Sequence, residues 1–189
     1  MTIESDFEPA VVPLPKAYLL LNHGPVTLIS SAYDGRQNVM AAAWVMPLDF
    51  APPKIALVID KQTYTRHLIE ESGTFVVNIP SQRLVSQIKW AGSETGHSVD
   101  KLTELKALRA GSRVPAALLA GCLGWLECKV IPESHNQQQH DLFIAEVLAA
   151  WSDPRVFHDG RWHFEEASDR TVHYSAGGQF FLTGPSINA

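Results

Sequence analysis

Short apolar segments separated by turn-forming residues run along most of this chain and predict a mainly β protein with a few short helices. An Asp34-Gly35 pair between the first two segments is a hairpin signal. The proline-rich segment 47–53 is expected to be a loop that stops strand pairing. Strands are expected at 25–31, 39–45, 55–59, 74–79, 122–131 and 142–150. Such strands in one sheet system suggest a closed or nearly closed antiparallel barrel.

Local signals predict three short helices between these strands. The first covers 63–72 and ends at Gly73, which suits a left-handed C-cap. The second covers 81–90, with Ser81 as its N-cap and apolar residues at helical spacing inside it. The third is a short turn capped by Asp100. The polar segment 132–141 is expected to connect two antiparallel strands.

The length and composition fit a single domain covering residues 1–189. Residues 1 to about 16 are proline-rich and are expected to form an irregular N-terminal arm. A net charge of -5 argues against a nucleic-acid partner, since nucleic-acid binding usually needs a basic face. The sequence has no apolar run long enough to predict a membrane span. Because the first residues, MTIESDFEPA, lack the pattern of a signal peptide, a cytoplasmic location is expected.

Neither the cysteines nor the histidines suggest a cross-link or a metal site. Cys122 and Cys128 lie in one predicted strand, about 20 Å apart on an extended chain, so they cannot pair with each other there. Two reduced, half-buried thiols are therefore expected. The histidines in HNQQQH and HDGRWH are spaced unlike common zinc ligands, and no metal is predicted.

The start of the first helix combines groups that bind anions. A helix start presents unpaired N–H donors and the positive end of the helix dipole. Cations and hydroxyls gather there, at Lys61, Thr63, Tyr64, Thr65 and Arg66. They form a candidate phosphate cradle, although the glycine spacing of a P-loop is missing. The alternative is a solvated helix start with Thr63 or Thr65 as a simple N-cap, and Arg66 could point to solvent.

The small residues 41–43 leave two interpretations open. They could make room for a ligand close to the backbone, or they could pack tightly under a neighbouring element. For the side chain of the next residue, Trp44, an ordinary core position is the simpler interpretation. His140 opens the predicted strand HDLFIAEV and could equally be a loop histidine in a polar run.

Five segments in order resemble the flavin reductase-like family, including the flavoredoxins, which have an FMN-binding split-barrel fold. The first two segments are PVTLISSAYDGRQNVMAAAWVMPLDFAPPKIALVI and DKQTYTRHLIEESGTFVVNIP. The other three are GSETGHSVDKL, GWLECKVIPES and HDLFIAEVLAA. The resemblance covers about 26–150 and implies a split β-barrel. Where the family often has Thr-Ala-Ser-Trp, this chain has three alanines before Trp44, so two hydroxyls that could bond flavin are missing.

The resemblance implies a function and a set of site residues. Family members bind FMN or FAD, and many take a hydride from NADH or NADPH. They are usually homodimers with flavin sites near the interface. Lys61, Thr63, Tyr64, Thr65 and Arg66 would hold the flavin phosphate. Ala42, Ala43, Trp44 and Val45 would lie beside the isoalloxazine ring, and His140 would contact the nicotinamide side.

Three functions follow as hypotheses. The leading one is a flavin oxidoreductase that transfers hydride from NAD(P)H to bound or diffusible flavin, with an electron acceptor or a monooxygenase as a further partner. The second is a flavoredoxin-type FMN-binding electron carrier without a nicotinamide site. The third is a barrel that binds another phosphate ligand or haem. Catalytic motifs are not required for the first two, because flavin carries the redox chemistry.

Overall fold

A computed structural model describes residues 7–187 of the chain, and most of the secondary-structure elements there are strands. Between those residues the strands are β1 (Ala10–Val12), β2 (Thr27–Tyr33), β3 (Arg36–Ala42), β4 (Val45–Phe50), β5 (Pro53–Val58), β6 (Thr74–Pro80), β7 (Ala107–Ala110), β8 (Ala117–Leu119), β9 (Cys122–Ile131), β10 (Leu142–Ser152), β11 (Phe157–His158), β12 (Arg161–Trp162), β13 (Val172–Ala176) and β14 (Gln179–Leu182). The α-helices there are α1 (Tyr64–Ser72), α2 (Val85–Ser93) and α3 (Ser134–His140). Short 3-10 turns cover Leu14–Leu20, Gln82–Leu84, Lys101–Thr103 and Ala167–Asp169. The prediction of a mainly β protein with short helices is confirmed.

One antiparallel sheet organises the described residues, in the order β3-β2-β6-β9-β10-β5-β4, with β1 paired to the end of β10. The strands at its two edges, β3 and β4, are consecutive in sequence and are joined only by Ala43 and Trp44. Three peptide units span at most ~11 Å, so the two edges of the sheet must come close together. The sheet therefore curls into a barrel that stays split between β3 and β4.

Both faces of the central strands β2, β6 and β9 are largely buried. Ile29, Phe75 and Leu126 belong to a core cluster with inward residues of β5 and β10. Residues from the opposite face of the same strands, such as Leu28 and Trp125, pack with α2 and the short β7–β8 hairpin. This two-sided burial explains why the predicted strands are almost continuously apolar. Helices among residues 7–187 are all too short or too polar to cross a membrane.

The structure corrects several predicted boundaries. The segment 47–53 is not a loop, because β4 runs through Pro47 and pairs with β5. Proline is tolerated there since β4 is an edge strand and its pairing shifts register after Pro47. Ser81 does not cap α2, since its hydroxyl donates to the carbonyl of Gly121. The polar connection 132–141 contains α3, which has no buried residue and so left no hydrophobic periodicity.

Other local predictions are confirmed. Thr63 is the N-cap of α1 and Gly73 is its left-handed C-cap. Asp100 caps a short 3-10 turn by accepting a hydrogen bond from the Leu102 N–H. Within the arm expected to be irregular, residues 10–12 form β1, while residues 1–6 lie outside the described range.

Both cysteines are free thiols, as predicted, but they are fully rather than half buried. Cys122 packs in the cluster that the sheet forms with α2 and the β7–β8 hairpin, and Cys128 packs in the barrel interior. Burial raises the pKa of both thiols, and the Glu127 carboxylate raises that of Cys128 further.

Arg66 ties α1 to three neighbouring elements. Its side chain is 2% exposed, so the expectation that it could point to solvent is wrong. The guanidinium donates to Glu70 at 2.8 Å and to Asp141 at 2.5 Å. It also donates to the carbonyls of Ile59 and Gln137. Burial opposes the charged form, but the two carboxylates outweigh it and raise the Arg66 pKa.

Replacing Arg66 by methionine should destabilise the protein by about 3 kcal/mol. The apolar substitute keeps most of the side-chain length but leaves Asp141 and two backbone carbonyls without their donor. We place the loss at the low end of the range for broken buried pairs, because both carboxylates remain partly hydrated. The free energy of unfolding from urea titration measures this. Arg36→Met, at an exposed position, is the control and should change stability by less than about 0.5 kcal/mol. Equal stability of the two variants would contradict the assignment.

Candidate functional site

A cavity of about 770 Å³ opens at the split of the barrel. Its floor is the end of β3 and the link to β4, residues 40–44. One side is formed by Ile88, Lys89 and neighbouring residues of α2, and the other by the β13–β14 hairpin. Asp60 and Asp141 lie at its rim. The volume and the mixture of apolar walls with few polar groups are typical of a site for a small organic ligand.

The alanine run serves both of the roles that the sequence left open. Ala41 packs under α2, where a Cβ at Gly92 would lie 3.5 Å from the Ala41 Cβ. Ala42 is buried, and its carbonyl accepts a hydrogen bond from the Thr27 hydroxyl. Ala43 is exposed to the cavity. Small side chains here therefore allow α2 to lie close and also leave space above the strand.

Trp44 is 74% exposed and lines the cavity, so the interpretation of its side chain as core is wrong. It lies in the link between β3 and β4, and its carbonyl accepts a hydrogen bond from the Val58 N–H at 3.1 Å. Val45 points the other way and is part of the barrel core. The structure thus brings Ala42, Ala43 and Trp44 together in the cavity wall and leaves Val45 outside it.

The residues of the predicted phosphate cradle lie beside the cavity rather than in its wall, which reaches only Asp60 and Asp141 on this side. Thr63 acts as the simple N-cap, accepting from the Arg66 N–H. Lys61 Nζ donates to the carbonyl of Gln138 at 2.5 Å. Tyr64 is half-buried, with its ring 4.9 Å from that of His97. Of the two cations, Lys61 is exposed at the surface, whereas Arg66 is buried and makes its contacts inside the protein.

A buried polar pair lies under this helix start. The side-chain amide of Asn38 donates to the Thr65 hydroxyl at 2.8 Å, and both residues are buried. The other side-chain atom of Asn38, Oδ1, is buried and has no hydrogen-bond partner in the part of the chain that the structure describes. The loop carrying His97 closes over Asn38, where a Cβ at Gly96 would lie 2.3 Å from Oδ1. An acceptor without a donor is thus fixed beneath the helix start.

His140 does not open β10 but ends α3, and its ring lies at the surface against that of His135, with 5.6 Å between centroids. The neighbouring Asp141 reaches the cavity rim instead. Among residues 7–187, no cluster of three or more metal-ligating side chains is present.

The structure adds site residues that sequence analysis did not assign. Lys89 lines the cavity, and its ammonium group has no hydrogen bond or ion pair within the described residues. Its side chain lies against Gly178, in the turn of the β13–β14 hairpin. Tyr174 and Phe180 of that hairpin also line the cavity. The aromatics flanking a glycine pair in VHYSAGGQFFLTG were the available signal for this hairpin.

Comparison with known proteins gives a consistent result. A profile described as "Flavin reductase like domain" matches residues 21–167. The uncharacterized protein YddH of Escherichia coli (strain K12) is 37% identical over 94% of this chain and 96% of its own length. Among solved structures, the FMN-binding domain of a flavin reductases-like enzyme from Shewanella baltica OS155 is 46% identical. It superposes with a TM-score of 0.94 over 98% of this chain and 100% of that one.

A flavoredoxin of Desulfovibrio vulgaris (Miyazaki F) is more distant but has the same fold. It is 27% identical, with a TM-score of 0.76 over 88% of this chain and 90% of that one. The profile match covers most of the chain, and the strand order with its split between β3 and β4 agrees with it. The chain therefore belongs to the flavin reductase-like family and has its split-barrel fold.

Proposed function

We propose that this chain binds FMN in the cavity at the barrel split and acts as an NAD(P)H-dependent flavin oxidoreductase. The observation that carries the proposal is the cavity itself, bounded by the β3–β4 link, α2 and an aromatic hairpin. The FMN-binding relative from Shewanella baltica, which matches this chain over nearly its whole length, supports the choice of ligand. FAD in place of FMN and a cytoplasmic location stay predictions from the sequence.

The residues present fit a flavin. Ala42, Ala43 and Trp44 would lie beside the isoalloxazine ring, where backbone groups can replace the hydroxyls that the alanines lack. Tyr174 and Phe180 offer an apolar wall opposite. The unpaired Oδ1 of Asn38 is buried under Gly96 and lies outside the cavity wall, so we assign it no contact with the flavin. When bound, FMN would supply the chemistry of accepting a hydride and passing electrons on.

The phosphate needs a cation that is free to meet it. Arg66 is occupied by Glu70 and Asp141, and the charge of Lys61 is offset by Asp141 at 3.9 Å. Lys89 faces the cavity with no such partner in the described residues. We therefore assign the main charge contact to Lys89, and the predicted cradle of Lys61, Thr63, Tyr64 and Thr65 to a secondary role. The contact of His140 with nicotinamide stays a prediction.

Lys89→Ala should weaken FMN binding at least about tenfold, because a charge-assisted hydrogen bond is worth roughly 1.5–3 kcal/mol. Riboflavin, which lacks the phosphate, should bind the variant and the wild type equally. Fluorescence quenching titrations with both flavins measure this, and Lys61→Ala should show a smaller FMN-selective loss. Lys16→Ala, at an exposed lysine away from the cavity, is the control. Equal losses for FMN and riboflavin in Lys89→Ala would refute the phosphate contact.

Adding NADH or NADPH to the FMN-loaded protein without oxygen should bleach the flavin absorbance faster than it bleaches free FMN. The protein would hold the nicotinamide against the flavin, in the space open beside Trp44 and Tyr174. If neither nucleotide accelerates bleaching, the reductase activity is excluded. A preparation that stays yellow through dialysis would then favour the second candidate, an electron carrier, to which the similarity with flavoredoxin points.

A homodimer completes the proposed site. On the edge strand β4 an apolar row is exposed, formed by Met46 (55%), Leu48 (48%) and Phe50 (62%) in line with Trp44. Unpaired edges and apolar patches of this kind require a cover, and a two-fold dimer is the commonest one. Because Trp44 belongs to both the row and the cavity wall, a second copy would also shield the flavin. An electron acceptor or a monooxygenase remains a further predicted partner.

Light scattering should give about twice the chain mass of 20.8 kDa at micromolar concentration. Leu48→Glu places a charge in the middle of the apolar row and should yield monomers. Tyr33→Glu, at an exposed aromatic of β2, is the control and should leave the mass unchanged. A wild-type mass of one chain would exclude the dimer.

A further inference from the structure

The hairpin that walls the cavity is not part of the main sheet. Strands β13 and β14 pair only with each other in the described chain. Tyr174 faces Phe180 across the pair, and their rings are 5.2 Å apart. The hairpin is joined to the barrel at its open end, where the Val26 N–H donates to the carbonyl of Val172. What holds this open end decides where the aromatic wall lies.

A chain of four side chains joins the hairpin to the segment before β2. His23 Nε2 is 2.8 Å from Thr171 Oγ1, which is 2.6 Å from Thr183 Oγ1. Thr183 Oγ1 is in turn 3.0 Å from His173 Nε2. The other ring nitrogen of His173, Nδ1, is 3.0 Å from the carbonyl of Gly24. Both ends of the chain are thus anchored on residues 23–24.

When both imidazoles are neutral, hydrogen-bond chemistry fixes the direction of this chain. The Gly24 carbonyl only accepts, so His173 carries its proton on Nδ1 and accepts from the Thr183 hydroxyl at Nε2. Thr183 must then accept from Thr171, and Thr171 from the N–H of His23 Nε2. This leaves Nδ1 of His23 as a bare acceptor, and that atom is buried without a partner in the described residues. Each neutral imidazole is thus held in one tautomer.

We propose that His23, Thr171, Thr183 and His173 form a latch that positions the β13–β14 hairpin against the cavity and loosens when His23 gains a proton. The four are positioning residues that act through Tyr174, Phe180 and the turn at Gly178. The effect on flavin rests on the proposed function, whereas the effect on the hairpin does not.

Protonation of His23 creates a hydrogen-bond donor without a partner. His23 already carries a proton on Nε2, so an added proton can only go to Nδ1. That N–H would be buried, and no acceptor for it lies within the described residues. An unsatisfied buried donor is unfavourable. Arg170 lies beside the latch, and its Nη1 donates to the Thr183 carbonyl.

The surroundings of His23 oppose its protonation in the latched state. Its ring lies 5.4 Å from that of Trp162 and 5.9 Å from that of His173. Burial, with a contribution from His173, lowers the pKa of His23 from 6.5 to about 4. A histidine whose pKa falls on folding stabilises the folded form above its unfolded pKa, and the contribution is lost as the pH drops toward 4. The latch is therefore strongest at neutral pH and weakens through mildly acidic pH.

Thr183→Val tests the latch, because it keeps the side-chain shape and removes the central hydroxyl. Riboflavin is the probe, since the FMN phosphate itself titrates near pH 6. Wild-type affinity for riboflavin, from fluorescence quenching, should fall at least threefold between pH 7.5 and 5.5. Thr183→Val should bind about as weakly at pH 7.5 as the wild type does at pH 5.5, with little further change. Thr183→Ser keeps the hydroxyl and should restore the wild-type profile, and the distant Thr103→Val should match it.

Hydrogen exchange without flavin gives a second, independent readout. At pH 7.5 the amides of residues 172–182 should exchange faster in Thr183→Val than in the wild type, after correction for intrinsic rates. Exchange elsewhere in the barrel should be unchanged, which also shows that the variant is folded. Failure of the wild type to bind either flavin would overturn the proposed function. The latch would still be tested by the exchange measurement, which needs no flavin. Unchanged hairpin exchange, or a wild-type riboflavin affinity independent of pH, would overturn the latch.

Discussion

The two-residue connection between β3 and β4 is the constraint on which the rest of the structure depends. It joins the two edges of a sheet whose intervening strands are all paired, so the sheet has to curl until those edges nearly meet. Hydrogen bonding between them does not follow, because Ala43 and Trp44 occupy the gap. The gap becomes the cavity, and the same link leaves Trp44 outside the core. The same two-residue link therefore closes the barrel and opens the site.

The two cationic side chains Arg66 and Lys89 have different roles: one holds the fold together and the other faces the cavity. Arg66 is consumed in joining α1 to the ends of β5, α3 and β10, which fixes the acidic rim residue Asp141. Lys89 lies on α2, which packs against β3, and its side chain faces the cavity instead of joining elements. A cation that is predicted from sequence to bind a ligand can therefore be the one that holds the fold, and its replacement would disturb folding before it reported on binding.

Sequence patterns predicted the elements whose signals are local. The strand Cys122–Ile131 and the helix ending at Gly73 have the apolar runs and caps that define them. Patterns were weaker where tertiary contacts decide. Pro47 marks a loop by itself, but an edge strand tolerates it, and α3 has no apolar face to detect. The site depended most on such contacts: the hairpin wall and Lys89 are distant in sequence from the β3–β4 link, and only the closed barrel brings them together.

The depth at which Cys122 and Cys128 are buried has a practical chemical consequence. Oxidants and alkylating agents act on exposed thiolates, and burial here removes both exposure and ionisation. A folded molecule therefore offers peroxide no thiolate to attack and cannot cross-link to a neighbour through these two cysteines. Added thiol reductants, which would donate electrons of their own, can be left out of any redox measurement on this protein.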